Sequence, residues 1–199
     1  CSLIYGDDKI VENLLGLNFE ISMQSFFQTN PKCAEKLYTK VIDYVKDTEQ
    51  KQEVILDLFC GTGTIGQLIA SQIPNAEVIG VDIVSEAIAD AKKNAKRNKV
   101  DGLKFFAADV GKFLQEYPQY NGTISTVVLD PPRAGIAPKT LKKVVQLNSR
   151  RIVYVSCNPA TQARDTEYLV SCGYELKKVS FVDQFPHTSH VESIILFEK

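Results

Sequence analysis

The chain has 199 residues, of which 44% are hydrophobic and 24% charged, and its formal net charge is -1. This composition excludes intrinsic disorder, a collagen-like repeat and a small disulfide-stapled scaffold, and no apolar run reaches the length of a membrane span. The near-neutral charge also excludes a basic coat over the whole surface, although it is compatible with one basic face.

The N-terminal region is predicted to be rich in β structure and to lead into a helix. Short strands are predicted over Cys1–Tyr5, Lys9–Leu15 and Leu17–Ser22, because turn residues separate three partly alternating segments. Asn30-Pro31 then favours the start of a helix, in which an Asn cap precedes a proline at the first helical position.

From residue 54 onward, strands and helices alternate along the chain. Strands are predicted over Val54–Phe59, Glu77–Val81, Leu103–Ala107, Thr126–Leu129, Arg151–Val155, Tyr174–Val182 and Val191–Phe197. Helices are predicted between them over Ile65–Ile73, Ser85–Asn98, Pro138–Leu147 and Ala160–Val170. This order indicates an α/β fold with a mostly parallel sheet, helices on both faces and an antiparallel pair at the C-terminal edge. Ligands of such sheets bind beyond the carboxyl ends of the strands.

A glycine-rich turn follows the first of these strands. Asp57–Gly66 contains the pattern G-x-G-x-x-G, in which Gly61 and Gly63 allow the backbone to approach a ligand closely, and Asp82 ends the next strand. An acidic residue at that place binds ribose hydroxyls in nucleotide-binding folds. The segment alone is compatible with a dinucleotide, with S-adenosylmethionine or with a simple tight turn.

Two later strand ends carry further chemical groups. Asp130-Pro131-Pro132-Arg133 is a rigid turn that holds a carboxylate and a guanidinium at defined angles. Ser156-Cys157-Asn158-Pro159 presents a thiol at the same edge of the sheet, although most single cysteines are simply buried.

The last loop contains His187, His190 and Glu192. Their spacing does not match a typical metal site, so we predict no metal, and Glu192 can instead act as a general base.

Five motifs in this order resemble the RNA 5-methyluridine (uracil-C5) methyltransferase family. They are Phe26–Asn30, Asp57–Gly63, Asp130–Gly135, Ser156–Pro159 and Phe185–Glu192. The resemblance covers nearly the whole chain, from about Phe19 to the end. It implies a Rossmann-like, class I S-adenosylmethionine-dependent methyltransferase fold and S-adenosylmethionine as the cofactor.

The resemblance also implies the roles of individual residues. Cys157 matches the family's nucleophile and Glu192 its base. The cofactor-binding positions are Gln28, Phe59, Gly61, Gly63, Thr64, Asp82, Asp109 and Asp130, with Asp82 at the ribose and Asp109 near the adenine. Arg133 and Phe185 are our own candidates for contacts with the substrate, by charge stabilisation and base stacking, although Phe185 is equally compatible with core packing.

The family's organisation implies partners for this domain. We interpret residues 1–22 as a short β segment left from an upstream central domain, and residues 23–199 as the methyltransferase catalytic domain. Because the chain begins at Cys1, we expect an upstream RNA-binding domain to be missing from it. The expected substrate is a loop uridine of tRNA or rRNA, and we expect a monomer that does not contact membranes.

The compartment is indicated by the cysteines. Five are present, widely spaced and without a C-x-x-C pair, which is typical of a reducing environment and therefore of the cytoplasm.

Three alternatives remain at this point. A nucleotide-dependent oxidoreductase would explain the glycine turn and Asp82 but not Cys157 and Glu192. An RNA amino-group methyltransferase also uses Asp-Pro-Pro, but it needs no thiol and usually has an aromatic residue where this chain has Arg133. A non-catalytic RNA-binding module would not need Cys157 and Glu192 together.

Overall fold

The computed structural model describes residues 6–22, 25–46 and 53–199. Within these ranges the strands are β1 Lys9–Leu14, β2 Leu17–Ser22, β3 Val54–Leu58, β4 Glu77–Asp82, β5 Leu103–Ala107, β6 Thr126–Leu129, β7 Arg151–Ser156, β8 Glu175–Val182 and β9 Glu192–Glu198. The helices are α1 Pro31–Val45, α2 Thr64–Gln72, α3 Ser85–Asn98, α4 Val110–Glu116, α5 Pro138–Gln146 and α6 Pro159–Ser171, with a 3-10 helix at Pro118–Tyr120. The predicted strand Cys1–Tyr5 lies outside the described residues.

Seven of the described strands form one sheet in the order β5-β4-β3-β6-β7-β9-β8. The pairs among β3 to β7 are parallel, whereas β9 runs antiparallel to both β7 and β8. The predicted antiparallel C-terminal edge is therefore confirmed. The strand order reverses between β3 and β6, because β4 and β5 lie on one side of β3 while β6 and β7 lie on the other. Ligands of open α/β sheets bind at such a point.

Successive residues of the central strands point to opposite faces, and each face is covered by helices. Ile55 of β3 packs in one core cluster with α1 and α2, and its neighbour Leu56 packs in a second cluster with α4, α5 and α6. Both faces of the parallel sheet are thus buried, as the sequence predicted.

The structure adds α4 and the 3-10 helix, which the sequence analysis did not predict. Asp109 caps α4, since its carboxylate accepts a hydrogen bond from the Lys112 backbone N–H at 2.9 Å. The helix has only seven residues, too few to show a helical repeat clearly.

The hairpin β1–β2 packs against the same body rather than standing apart from it. Leu14, Phe19 and Ile21 lie in the core cluster that contains α1 and α2. The outer edge of β2 is hydrogen-bonded by two side chains of α3, Asn94 and Asn98. Whether residues 1–22 belong to an upstream domain stays a prediction.

Candidate active site

A cavity of about 1240 Å³ opens at the carboxyl ends of β3, β4, β6 and β7. It brings together most of the residues that the sequence and the resemblance singled out, namely Gln28, Phe59, Gly61, Thr64, Asp82, Asp130, Arg133, Cys157, Phe185 and Glu192. Gly63 and Asp109 are not among its lining residues.

The two glycines of the turn after β3 serve different purposes. Gly61 has a φ of 53° and faces open space, so that a ligand can approach its backbone. Gly63 has a φ of 70°, and a Cβ atom there would lie 2.6 Å from the Phe105 ring. Gly63 therefore allows the turn to pack closely on the sheet, which explains its absence from the cavity wall.

Asp82 connects this turn to the beginning of α3. One of its carboxylate oxygens accepts a hydrogen bond from the Gly61 N–H and the other from the Val84 N–H, both at 2.9 Å. Each oxygen retains a second acceptor position for a ligand hydroxyl. Ile83 and Val84 continue the wall as apolar side chains, and Ile83 is 68% exposed. The sequence analysis missed both, although their place directly after a strand-end acid was a usable signal.

Asp109 is not among the residues that line the cavity. Its side chain is exposed and is engaged in capping α4. Most of the other cofactor-binding candidates line the cavity, and the contact of Asp109 with the adenine stays a prediction.

Cys157 and Glu192 lie opposite each other at the end of the β7–β9 ladder. Ser156 pairs with Ser193 in this antiparallel register, so the next step of the ladder places Cys157 across from Glu192. Glu192 is buried and Cys157 is half-buried, and both line the cavity. The antiparallel edge of the sheet therefore brings a thiol and a carboxyl together from positions 35 residues apart in the chain.

Burial changes the acid–base properties of this cluster. It raises the pKa of the Glu192 carboxyl, and it raises the pKa of the Asp130 carboxyl to about 8, with Glu192 adding to the effect. The pKa of the Cys157 thiol is raised by burial and then by Glu192 and Asp130, while the Arg133 guanidinium acts in the opposite direction. Carboxyl groups with raised pKa values can accept a proton near neutral pH.

Tyr38 is a further member of this cluster that the sequence analysis missed. It is buried on α1 and lines the cavity, and burial together with Asp130 and Glu192 raises the pKa of its phenol. The spacing of Tyr38 within α1 resembles that of ordinary core residues, so no local signal distinguished it.

The loop that follows Asp130 is held by α6, the helix that follows Cys157. The Arg133 carbonyl accepts hydrogen bonds from Asn158 Nδ2 at 3.0 Å and from Thr161 Oγ1 at 3.2 Å. The buried Asp165 carboxylate accepts from the Ile136 N–H at 2.9 Å. The position of Arg133 is therefore tied to the helix that begins beside the thiol.

The loop before Glu192 is ordered by local hydrogen bonds and by one contact with α1. Asp183 Oδ1 accepts from the Phe185 N–H at 3.1 Å, and Asn30 Nδ2 donates to the Gln184 carbonyl at 3.2 Å. The rings of Phe185 and His190 meet edge to face with their centroids 6.5 Å apart, and both residues line the mouth of the cavity. Across the described residues, no group of three or more His, Cys, Asp or Glu side chains could hold a metal ion.

The sequence has two basic stretches, Lys92–Lys104 and Lys139–Arg151, and several of their cations are engaged in internal contacts. In the first stretch, Arg97 pairs with Glu20 and Lys104 with Glu77. In the second, Lys143 donates to the Gly111 carbonyl. These contacts favour a solvated, structural surface over a dedicated nucleic-acid face.

The fold and the cavity together define a Rossmann-like methyltransferase domain. A family model, tRNA (uracil-5-)-methyltransferase, matches residues 6–199. The chain therefore belongs to this family.

Individual relatives agree with this assignment. The chain is 45% identical to an uncharacterized RNA methyltransferase of Clostridium acetobutylicum, over 98% of this chain and 41% of the relative. Among solved structures, the Pyrococcus abyssi tRNA (uracil-54, C5)-methyltransferase in complex with S-adenosyl-L-homocysteine is similar with a TM-score of 0.84 and 36% identity, over 97% of this chain and 45% of that one. A SAM-dependent methyltransferase of Agrobacterium tumefaciens, at 18% identity and a TM-score of 0.74 over 98% of this chain and 71% of that one, shows the shared fold alone.

The chain spans about two fifths of the length of the curated relatives that it matches. In the described part of the chain, no helix combines the length and hydropathy needed to cross a bilayer.

Proposed function

We propose that this chain is a catalytic domain that methylates carbon 5 of uridine in tRNA or rRNA, with S-adenosylmethionine as the methyl donor and Cys157 as a covalent nucleophile. The observation that carries the proposal is the placement of Cys157 opposite Glu192, in the same cavity as the Gly61–Asp82 turn.

The cavity suits the proposed cofactor in its shape and in the chemistry of its walls. Gly61 provides a surface without a side chain, and Asp82 provides acceptors for ribose hydroxyls. Ile83 supplies an apolar wall for a purine ring, and Gln28 and Asp130 supply polar groups elsewhere in the cavity for the amino-acid part. When bound, S-adenosylmethionine supplies the electrophilic methyl group that carbon 5 of uracil accepts.

Cys157 makes carbon 5 reactive. Uracil is a weak carbon nucleophile, but a thiolate bonded to carbon 6 converts the ring into an enolate that is electron-rich at carbon 5. Arg133 favours the thiolate form, because its positive charge counteracts the rise in the pKa of the thiol that burial and the carboxyls cause. Covalent catalysis thus replaces one difficult step by two easier ones.

Glu192 completes the cycle as the general base. After methylation, carbon 5 still carries a proton, and its removal lets the electron pair re-form the double bond and expel the cysteine sulfur. Glu192 is buried at the cavity and lies across the ladder from Cys157, and this supports a role for it at carbon 5, the ring atom next to the one that sulfur attacks. Its raised pKa makes it a stronger base than an exposed glutamate.

The substrate must enter as an unpaired or flipped-out nucleotide, because a stacked uracil presents no access to carbon 6. Phe26, which is 79% exposed, and Phe185 lie on the rim of the cavity and can stack against bases. The near-neutral charge of the chain implies that a further RNA-binding region contributes much of the affinity.

The test is mass spectrometry of the chain after incubation with S-adenosylmethionine and an RNA loop containing 5-fluorouridine. Fluorine at carbon 5 cannot leave as a proton, so an adduct of protein, RNA and methyl group should accumulate on Cys157. The Cys157→Ala variant should bind the cofactor in calorimetry without forming the adduct. A Cys33→Ala variant controls for loss of a half-buried thiol away from the cavity.

Other outcomes would assign the domain differently. Binding of NAD without binding of S-adenosylmethionine would support the oxidoreductase alternative. Full methylation by Cys157→Ala would exclude the covalent mechanism and favour amino-group methylation. Cofactor binding without any adduct or methylated product, on tRNA and rRNA fragments alike, would contradict the proposed reaction for this chain.

A further inference from the structure

One buried side chain hydrogen-bonds both strands that carry the proposed catalytic pair. Gln162 Nε2 donates to the Tyr154 carbonyl on β7 at 2.8 Å. The Ser193 hydroxyl on β9 donates to Gln162 Oε1 at 2.6 Å, and its oxygen lies 3.1 Å from the Ser156 carbonyl oxygen, a second acceptor for the same proton. We call Gln162 and Ser193, with these two carbonyls, the Gln162 connector.

The connector lies directly beside the site. Ser156 precedes Cys157 and Ser193 follows Glu192, so the connector binds one neighbour of each proposed catalytic residue. Gln162 itself lies in the first turns of α6, whose cap Asn158 follows Cys157. The strand before the thiol, the helix after it and the strand that carries the carboxyl are therefore held by one side chain.

The connector is buried, and each of its side-chain polar atoms has a hydrogen-bond partner. Gln162 is 2% exposed, Ser193 1% and Ser156 1%. Replacing the amide and the hydroxyl together by apolar groups of the same shape would be nearly neutral for stability, so packing alone does not require them. What an amide and a hydroxyl add is directional hydrogen bonding, which fixes the two strand ends relative to each other.

We propose that Ser193, acting through Gln162, is a positioning residue that sets the separation of the Cys157 thiol and the Glu192 carboxyl. Its importance for catalysis rests on the proposed function, because sulfur bonds to carbon 6 while the carboxyl takes the proton from the adjacent carbon 5. A displacement of about 1 Å in such an arrangement lowers a rate by roughly 100-fold.

A double-mutant cycle on the thiol tests the positioning without RNA or cofactor. The rate of alkylation of Cys157 is measured against pH by mass spectrometry of the peptide that contains it, and the midpoint reports the pKa of the thiol. Glu192→Gln should lower this pKa in the parent chain, because the Glu192 charge raises it. In the Ser193→Ala background the same substitution should change the pKa by less than half as much.

Further variants separate positioning from general destabilisation. The coupling is the change that Glu192→Gln causes in the pKa of Cys157. Ser193→Thr retains the hydroxyl and should restore the coupling of the parent chain. Gln162→Leu removes the connector while filling its space, so it should reduce the coupling even if Ser193→Ala does not fold. Ser180 lies on the neighbouring β8, and its hydroxyl hydrogen-bonds the Tyr44 hydroxyl of α1. Ser180→Ala removes this contact and should leave the coupling unchanged.

The outcomes are distinct from those for the proposed function. An equal effect of Glu192→Gln in the parent and in both connector variants, or no effect in the parent, would overturn the positioning role. In methylation assays, Ser193→Ala should lower turnover on uridine RNA by roughly 100-fold. A parent chain that methylates no RNA would contradict the proposed function, while the thiol measurements would still decide whether the connector positions the pair.

Discussion

At the scale of single residues, the groups around Cys157 shift the pKa of its thiol in opposite directions. Burial and the neighbouring carboxyls raise the pKa of the thiol, whereas the Arg133 charge and a backbone hydrogen bond act in favour of the thiolate. Arg133 is exposed, and its guanidinium lies 3.5 Å from His190 Nδ1, so its charge is in contact with solvent. Its effect on the thiol should therefore weaken as salt increases.

The first prediction concerns this charge. Arg133→Met should raise the pKa of Cys157 further, so that alkylation of the thiol reaches its half-maximal rate at a higher pH than in the parent. Arg133→Lys keeps the positive charge and should restore most of the difference. The measurement is the pH profile of alkylation at low and at high salt. Identical profiles for Arg133→Met and the parent at low salt would show that the guanidinium does not act on the thiol.

At the scale of elements, the loop from Asp130 to Ile136 depends on α6. Gly135 has a φ of 74°, and a Cβ atom there would lie 2.6 Å from Arg164 Nη2 and 2.9 Å from Asp165 Oδ2. The Asp165 carboxylate is buried and also accepts a hydrogen bond from the Tyr154 hydroxyl at 2.7 Å. Moving this carboxylate away would disrupt its buried hydrogen bonds, so space as well as conformation favours a glycine at position 135.

The second prediction compares two glycines with the same backbone conformation. Gly122 also has a φ of 74°, but a Cβ atom there would meet nothing within 4 Å. Gly122→Ala should lower the free energy of unfolding by about 1 kcal/mol, the cost of the left-handed conformation. Gly135→Ala should lower it by a further ~2 kcal/mol, because it also disrupts buried hydrogen bonds. Chemical denaturation measures both, and equal losses would show that the loop tolerates the added carbon.

A second element-scale feature is the attachment of β2 to α3. The Asn94 amide bonds both the N–H and the carbonyl of Glu20, at 2.8 and 3.0 Å, and Asn98 does the same for Asn18, at 2.9 and 3.1 Å. Residues four apart on a helix advance about 6 Å, and residues two apart on a strand advance only slightly farther, about 6.6 Å. The two asparagine side chains of the helix therefore hydrogen-bond the backbone of the strand edge as a neighbouring strand would.

The third prediction compares the losses of stability caused by removing the Asn94 amide and the Asn98 amide. Asn94 is buried, so Asn94→Ala should leave the Glu20 backbone groups without partners and lower the free energy of unfolding by about 2–3 kcal/mol. Asn98 is only half-buried, and water can replace its amide, so Asn98→Ala should cost about 1 kcal/mol or less. Hydrogen exchange should be faster at the Glu20 amide in the first variant. Equal losses of stability would contradict the importance of burial here.

At the scale of the whole molecule, the sheet buries carboxyl groups beneath and beside the cavity. Asp57 is fully buried in β3, where it accepts a hydrogen bond from the Gly66 N–H at 3.0 Å, and burial raises its pKa to about 7. Asp130 has a pKa of about 8 for the same reason. An unfolded aspartate titrates near pH 4, so the folded state binds more protons between about pH 4 and 8.

The fourth prediction follows from this difference in proton binding between the folded and unfolded states. Because the folded state holds the extra protons, its stability should decrease as pH rises from about 4 to 8. Asp57→Asn keeps an acceptor for the Gly66 N–H but cannot ionise, so its stability should fall less steeply and exceed that of the parent at pH 8. Urea denaturation at several pH values measures this, with the exposed Asp101→Asn as the control. A slope in Asp57→Asn equal to that of the parent would show that Asp57 remains ionised in the folded state.

The length of the relatives bears on function at this scale. The chain covers 41% of the Clostridium acetobutylicum protein, and its net charge is -1. A domain of this charge has little general attraction for phosphate backbones. The expectations of a tRNA or rRNA substrate, a cytoplasmic location, a monomeric state and an upstream RNA-binding domain therefore stay predictions.

The sequence by itself determined the alternation of strands and helices, the parallel sheet with its antiparallel edge and the strand-end motifs, because hydrophobic periodicity and turn residues are local properties. Only the tertiary structure decided which of these residues meet. It placed Cys157 opposite Glu192 through the β7–β9 register, and it showed that Gly63 packs against Phe105. It also assigned Asp109 to the cap of α4 and brought Tyr38 and the Gln162 connector to the site. Apart from the local Asp109 cap, these outcomes depend on contacts between residues distant in the chain, for which no short segment carries a signal.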